Sequence, residues 1–568
     1  MKFKKLFSAA LAVTLAGSLL AACSSNNNNA ASSAPGSASP SASPSASESP
    51  VVSTPQEFRF TIGSEPPSLD PALMQDAQSS IVASGLFDGL MRLNEAGEPQ
   101  PALAEKYEMS EDGKTYTFKL RQDAKWSNGD PVTAHDFEYS WKRALAPETA
   151  AVYAYMLYYL ENGEKYNSST PDKPVDADEV GVKALDDYTL EAKLYTAAPY
   201  FISLVSHYTY WPVHKASVEG KPEWAADSST MVTNGPFKLT EWAHGDKLVL
   251  TKNPDFYDAD KVSFDKVTIS MVEEDSTVYR LFETDKIDWI GAQAGSVPSD
   301  LVPKLVSEKK AEIETIASVY YYLFNTKQAP FDNAKVRKAF SMAIDRQSII
   351  DNVTKANQTP AFGLVPPSIA GMDGKAYREL YPDTAYYSEN VEEAKKLLAE
   401  GLKESGLTKF PDSTLLYNTN EGHKAIAEAI VDMWRKNLGV EMKLANQEWG
   451  TFLETRQAGQ FGVARSGWGA DFNHAINFTY DLIHPKSGNN DGRYDNQEVG
   501  KLLDDSLLAT DEKERLELIS KAEKIALSDD MAVLPIYYYT TVTMEKDGFE
   551  DVVSDYAGHL DWVFGKKK

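Results

Sequence analysis

Four stretches of the chain alternate apolar and polar or β-branched residues, and four others repeat their apolar positions every three to four residues. Thr115–Leu120 (TYTFKL), Tyr188–Leu194 (YTLEAKL), Lys247–Lys252 (KLVLTK) and Leu534–Met544 (LPIYYYTTVTM) predict strands, whose successive side chains face opposite sides of a sheet. Lys335–Val353, Val391–Ser405, His423–Leu438 and Glu514–Leu527 predict helices. In His423–Leu438 the residues Ile426, Ala429, Ile430, Met433 and Trp434 share one face, and Gly439 follows as a stop. These stripes read as core-facing. Strands come early, helices and strands mix later, and strands return near the end. That ending permits a chain that comes back to its first domain. Patterning alone reaches a large α/β protein.

The first residues break the pattern. Lys2, Lys4 and Lys5 precede an apolar run from Leu6 to Leu20, closed by Ala21-Ala22-Cys23. A basic start, a short apolar run and small residues before a cleavage point predict an export signal over 1–22. A bilayer span needs about 20 apolar residues, so the run is short for a permanent transmembrane helix. The small-small-Cys ending resembles a bacterial lipobox, which makes Cys23 the candidate lipidation site. Cys23 is the only cysteine among 568 residues, which excludes disulfides within the chain. With Cys23, residues 24–54, mostly Ser, Asn, Ala and Pro, predict a disordered tether over 23–54. A formal charge of −26 is spread along the chain and argues against nucleic-acid partners, which require a basic footprint.

Catalytic motifs are missing. The chain has no His-Glu-x-x-His, no Gly-x-Ser-x-Gly and no Walker-type phosphate loop, and its eight histidines form no zinc-like set. No metal and no cofactor is implied, and no enzyme activity is expected. His135-Asp136 reads as polarity at a helix start. Aromatics are the unusual feature: Tyr153, Tyr155, Tyr158 and Tyr159, then Tyr320–Tyr322, then Tyr537–Tyr539. On a strand, each triplet would send some rings into the core and others elsewhere. Tyrosine offers large contact area with a polar tip, which suits adaptable binding.

Several runs then become recognisable together. Leu86–Leu90 (LFDGL), Pro101–Tyr107 (PALAEKY), Tyr116–Ala144, Val232–Gly235 (VTNG), Asn325–Phe331 (NTKQAPF), Asn446–Arg456 (NQEWGTFLETR) and Ala464–Asn473 (ARSGWGADFN) resemble, in order, the peptide-binding solute-binding proteins of ABC importers. The similarity covers nearly the whole chain after the tether, and it is stronger toward oligopeptide binders than toward dipeptide, nickel or haem binders. The resemblance implies a bilobal periplasmic-binding-protein-like α/β fold of the class II, cluster C type. It implies three domains: domain I from 55–87, 189–291 and 539–568, domain II from 88–188, and domain III from 292–538. Two crossings near Ala292 and Tyr538 would form the hinge.

By the same resemblance, Asp471 falls where the family receives a peptide ammonium. Arg465 and His423 fall where it meets the peptide carboxylate. Trp468, Trp449, Tyr153 and Asn418 match pocket positions, and Gly467 and Gly469 match positions where the backbone pairs with peptide. Tyr537 and members of the other triplet, Tyr320 and Tyr322, match an aromatic wall near the hinge. Departures occur at Thr326-Lys327-Gln328, where the family's lysine is displaced by one residue, at Gln75 beside Asp76, and at Gly469. The implied partners are an oligopeptide, the permease subunits of an ABC transporter, and the membrane through a lipid anchor only. The expected form is a monomer on the extracytoplasmic face of the cell membrane. Two other readings stand beside peptide capture: the same fold holding a dipeptide, a cell-wall or signalling peptide, an oligosaccharide or a metal chelate, and a secreted hydrolase. The pair Asp471 and Arg465 favours a zwitterionic ligand, and the missing nucleophile motifs count against hydrolysis.

Overall fold

The computed structural model describes residues 55–568; the export signal, Cys23 and the tether lie outside the described residues. Among the described residues no helix is long and apolar enough to cross a membrane.

The largest sheet grows around two long antiparallel strands, Glu312–Phe324 and Val533–Glu545. On one side the order continues through Val463–Gly469, Thr414–Asn418 and Lys443–Gln447. On the other side Trp289–Ile290 and Thr359–Pro360 pair with Val533–Glu545. Both faces of this sheet are covered over the tyrosine triplets. Tyr320, Tyr321 and Tyr322 are all essentially buried, as are Tyr537 and Tyr538. The alternation expected of the triplets thus sends Tyr320, Tyr321 and Tyr322 all into packed layers, while Tyr537 and the half-buried Tyr539 also border a cavity. A second sheet orders Glu57–Ile62, Lys266–Met271, Lys247–Lys252 and Phe237–Ala243, and a third orders Ala104–Met109, Thr115–Leu120, Thr189–Lys193 and Val182–Asp186.

The chain does return at its end. Trp562 is fully buried in one apolar core with Phe58, Phe60 and Phe237, and its indole N–H donates to the carbonyl of Ile81 at 3.1 Å. Gly85 makes room for it, since a Cβ there would stand 2.5 Å from the Trp562 ring.

Helix ends follow local capping. Asn420 caps Glu421–Leu438 by accepting from the His423 N–H at 3.0 Å, so this helix starts two residues before its apolar stripe suggests. Gly439 closes it in the left-handed region, at φ 68°. Ile426, Ala427, Ile430 and Trp434 are buried, whereas Ala429 and Met433 are half-buried. The expected helix over 335–353 breaks after Met342, and Asp345 caps a new turn at Arg346–Ile349. The break carries the fully buried Arg346 to the carbonyls of Ala361 and Pro535. His135-Asp136 is a helix start, as its polarity suggests: Asp136 accepts from the Thr133 N–H at 2.8 Å in a capping box.

Candidate functional site

The Val463–Gly469 strand is paired along one edge only for most of its length. Ser318–Phe324 pairs with all of it, from Gly469 back to Val463. On the other edge Thr414–Asn418 pairs with it only at Val463 and Ala464, while its own far edge pairs with Lys443–Gln447 throughout. The edge of Arg465–Gly469 that faces Asn418 is thus left without a strand partner among the described residues. A free edge of this kind presents backbone donors and acceptors to an added strand. It opens on a cavity of about 680 Å³ lined by Arg465, Gly467, Trp468, Gly469 and Asp471. A Cβ at Gly467 would come within 3.1 Å of the Arg465 guanidinium, and one at Gly469 within 3.1 Å of Ser318 Oγ. Glycine keeps this track clear.

Arg465 is buried, and no carboxylate neutralises it among the described residues. Nη2 donates to the Tyr539 hydroxyl at 2.6 Å, Nη1 reaches Asn418 Oδ1 at 3.4 Å, and Nε has no partner. The guanidinium lies 4.9 Å from the Tyr320 ring centre, a cation–π contact. Arginine stays charged at any pH the fold tolerates, and a buried charge without a counter-ion costs several kcal/mol. The nearby Arg456, also on the cavity wall, differs: Asp491 accepts from its Nε at 2.8 Å. Arg465 is therefore a cation held ready for an anion that the described residues do not supply. Half-buried His423 sits on the same wall, with Nδ1 3.4 Å from the Tyr320 hydroxyl. Burial, and then the Arg465 charge, push its pKa well below the usual imidazole value. It is a neutral hydrogen-bonding group at physiological pH.

Asp471 stands past the strand's end, and Arg465 is not its partner. Its carboxylate accepts from Asn477 Nδ2 at 2.9 Å, and its own backbone N–H donates to Asn477 Oδ1 at 2.9 Å. His207 Nε2 lies 3.3 Å from Oδ1. Because His207 Nδ1 accepts from the Thr209 N–H, the ring proton belongs on Nε2, facing the carboxylate but outside good hydrogen-bond geometry. Only neutral donors and one histidine hold Asp471, so it too can receive a cation. Trp468 stacks parallel to Tyr153 at 6.1 Å and donates its indole N–H to Asn477 Oδ1. The half-buried Trp449 places its indole N–H beside Asp76 without a hydrogen-bond partner of its own.

Ten of the sequence-derived site residues come together on this cavity: Asp471, Arg465, His423, Trp468, Trp449, Gly467, Gly469, Asn418, Tyr153 and Tyr537. Tyr320 and Tyr322 do not line it. They are buried behind Arg465, where Tyr320 packs on Tyr537 at 4.9 Å and Tyr322 on Tyr320 at 5.7 Å. Lys327 is at the surface beside Asp495, 3.3 Å away, and outside the cavity lining. Gln75 reaches the cavity and accepts a hydrogen bond from Gln457. Residues the sequence reading passed over include Tyr539, His207 and Asn477. Tyr539 was within reach of a period-2 argument, since it shares a strand face with Tyr537. An acidic wall was also missed. Asp275, at the start of helix Asp275–Glu283, faces the start of helix Glu421–Leu438, where Glu421 accepts from the Ser276 N–H at 3.2 Å. Burial, and then Glu421, push the Asp275 carboxyl up to about 7.

Three comparisons bear on this geometry. Residues 98–490 match the family model "Bacterial extracellular solute-binding proteins, family 5 Middle". The chain is 40% identical over 508 residues to the oligopeptide-binding protein OppA of Bacillus subtilis (strain 168), covering 89% of this chain and 91% of that protein. It is 39% identical over 504 residues to the dipeptide-binding protein DppE of the same organism, covering 89% and 90%. Its fold matches the crystal structure of Haemophilus influenzae OppA in complex with RPPGFSPFR, with a TM-score of 0.84, 33% identity, and coverage of 90% of this chain and 99% of that one.

Proposed function

We propose that this chain, which belongs to the bacterial extracellular solute-binding proteins, family 5, captures oligopeptides in the cavity beside the Val463–Gly469 strand and delivers them to an ABC importer. One observation carries the reading. A buried, unneutralised guanidinium and a carboxylate without a lysine or arginine partner stand at two ends of one unpaired strand edge. A peptide laid against that edge would satisfy its backbone by strand addition. Its carboxylate would meet Arg465, with His423 as a neutral second donor, and its ammonium would meet Asp471. Trp468, Tyr153, Trp449 and Tyr537 supply side-chain contacts, and Asn418 and the two glycines border the track.

The spacing favours ligands longer than dipeptides. Arg465 to Gly469 is four strand steps, about 13 Å at ~3.3 Å each, with Asp471 beyond. A dipeptide spans about 7 Å at most and cannot engage both ends at once. The resemblance to a dipeptide-binding relative keeps the shorter ligand as the second reading.

Around this core the reading is completed by export through 1–22, lipidation of Cys23 and a tether over 23–54, which leave the body a monomer displayed at the membrane's outer face. It includes the division into domain I (55–87, 189–291 and 539–568), domain II (88–188) and domain III (292–538), closing on the peptide about the crossings near Ala292 and Tyr538. Binding involves no bond cleavage. Calorimetry with peptides of three to five residues tests it. Free-termini peptides should bind and be recovered intact, while doubly blocked ones bind far more weakly. Equal affinity for both, or recovery of fragments, would overturn the reading.

A further inference from the structure

A second, smaller cavity of about 200 Å³ lies on the far side of Asp471's hydrogen-bond network. Asn477 joins the two: its fully buried amide donates one N–H to Asp471 at 2.9 Å and the other to Asp481 at 2.5 Å. Asp471 lines the large cavity and Asp481 the small one. Asp481 sits on helix Ile476–Ile483, every residue of which is buried. It is 4% exposed, and among the described residues no lysine, arginine or histidine pairs with it. Burial, and then the nearby Asp471, push its carboxyl well above the usual carboxylate range, so an entering cation is what would draw it into the ionised form. The peptide reading gives this carboxylate no task.

Aromatic rings make up about half of the lining: Tyr155, Tyr158, Tyr159, Tyr195, Tyr480 and Phe472, with Met156 and Leu507 among the apolar remainder. Burial raises the pKa of all five phenols, that of Tyr158 to about 12, so they remain neutral π surfaces. At the mouth, Lys486 is matched by Glu164 at 2.7 Å, and Asp504 lines the cavity 3.2 Å from His484. The lining thus carries Glu164, Asp481 and Asp504 against Lys486. Tyr195 and Leu508, 39% and 56% exposed, edge the opening toward solvent.

Aromatic rings around a buried carboxyl that has no cationic partner are the chemistry that recognises an organic cation, through cation–π attraction and charge pairing together. We propose that the small cavity is a second ligand site, separate from the peptide cavity, for a small alkylammonium compound, with Asp481 as counter-ion and the tyrosines as cage. Leu508 and Tyr195 border its entrance.

Choline and its uncharged isostere 3,3-dimethyl-1-butanol make the test, titrated calorimetrically into the protein already saturated with a free-termini peptide. Choline should bind with the peptide in place and the alcohol should not. Asp481→Asn should weaken choline by about tenfold or more, the worth of one charge-assisted contact. Leu508→Trp, at an exposed position that leaves the fold intact, should block the mouth and abolish choline binding with peptide affinity unchanged. Absence of choline binding, equal binding of the alcohol, loss of the signal once peptide is bound, or unaltered affinity in Leu508→Trp would each overturn the proposal.

Discussion

Asp471→Asn is the substitution that separates recognition of the ammonium from everything else the cavity does. The Asp471 carboxylate is 12% exposed, is held by Asn477 and faced by His207, and has no lysine or arginine partner among the described residues. An ammonium enclosed there would be a charge pair shielded from water. Removing one partner of such a pair typically costs about 3–5 kcal/mol, because the other charge stays buried and uncompensated. At about 1.4 kcal/mol per tenfold, that is roughly a 150- to 4,000-fold rise in Kd. N-acetylated peptides bring no ammonium, so the same near-isosteric variant should change their Kd by only about threefold. The assay is calorimetry on a matched pair, one peptide with a free amine and its N-acetyl twin, with the wild-type and variant proteins. The four affinities form a cycle whose coupling term isolates the amine–carboxylate contact. A coupling near zero, with both peptides weakened equally, would refute the assignment of Asp471 and reduce it to a structural acid.

Arg465→Ala should weaken peptides whose carboxylate reaches the strand's middle by about 10- to 150-fold, the worth of a hydrogen bond to a charge, and spare shorter ones; a uniform loss across a length series measured by calorimetry would contradict this. Asp275→Asn tests the acidic wall. A carboxyl pushed up to about 7 keeps its proton in the folded state while the unfolded state loses it from about pH 4 upward, so its contribution to stability falls as pH rises through that window. The variant should therefore melt above wild type at pH 8 and level with it near pH 4.5 by scanning fluorimetry, and a pH-independent difference would count against the assignment. Trp562→Ala should cost about 3–5 kcal/mol in urea unfolding, through the lost ring and the lost hydrogen bond to the Ile81 carbonyl; a cost below about 1 kcal/mol would mean that the C-terminal segment does not close the first core.

How much of this was legible differs by residue. Thr115–Leu120 and Lys247–Lys252 match their observed strands end to end, because a period of two has a sharp signature over even six residues. The break at Ala343–Asp345 was hidden, since apolar periodicity runs through it and only the buried destination of Arg346 explains it. Asp471 and Arg465 were reached by resemblance to a family, and neither carries a local signal that would single it out. His207 was invisible for a plain reason: it meets Asp471 from 264 positions away, and no spacing rule connects them. The tyrosine triplets misled in a particular way. Alternation suggested that each triplet would send some rings into the core and others elsewhere, whereas Tyr320, Tyr321 and Tyr322 are all buried. Lys327 shows the converse. It lies in an exposed turn beyond the strand's end, beside Asp495, and Gln328 next to it is exposed as well, so neither position reaches the cavity.

The central claim is that the cavity holds peptides by their two termini. Native mass spectrometry of the folded protein, followed by release and sequencing of whatever co-purifies, addresses it most directly. The account predicts a mixed population of short peptides with free amino and carboxyl ends, most longer than two residues, displaced as a group by added free-termini peptide. A single non-peptide compound occupying the cavity and resisting that displacement would contradict it.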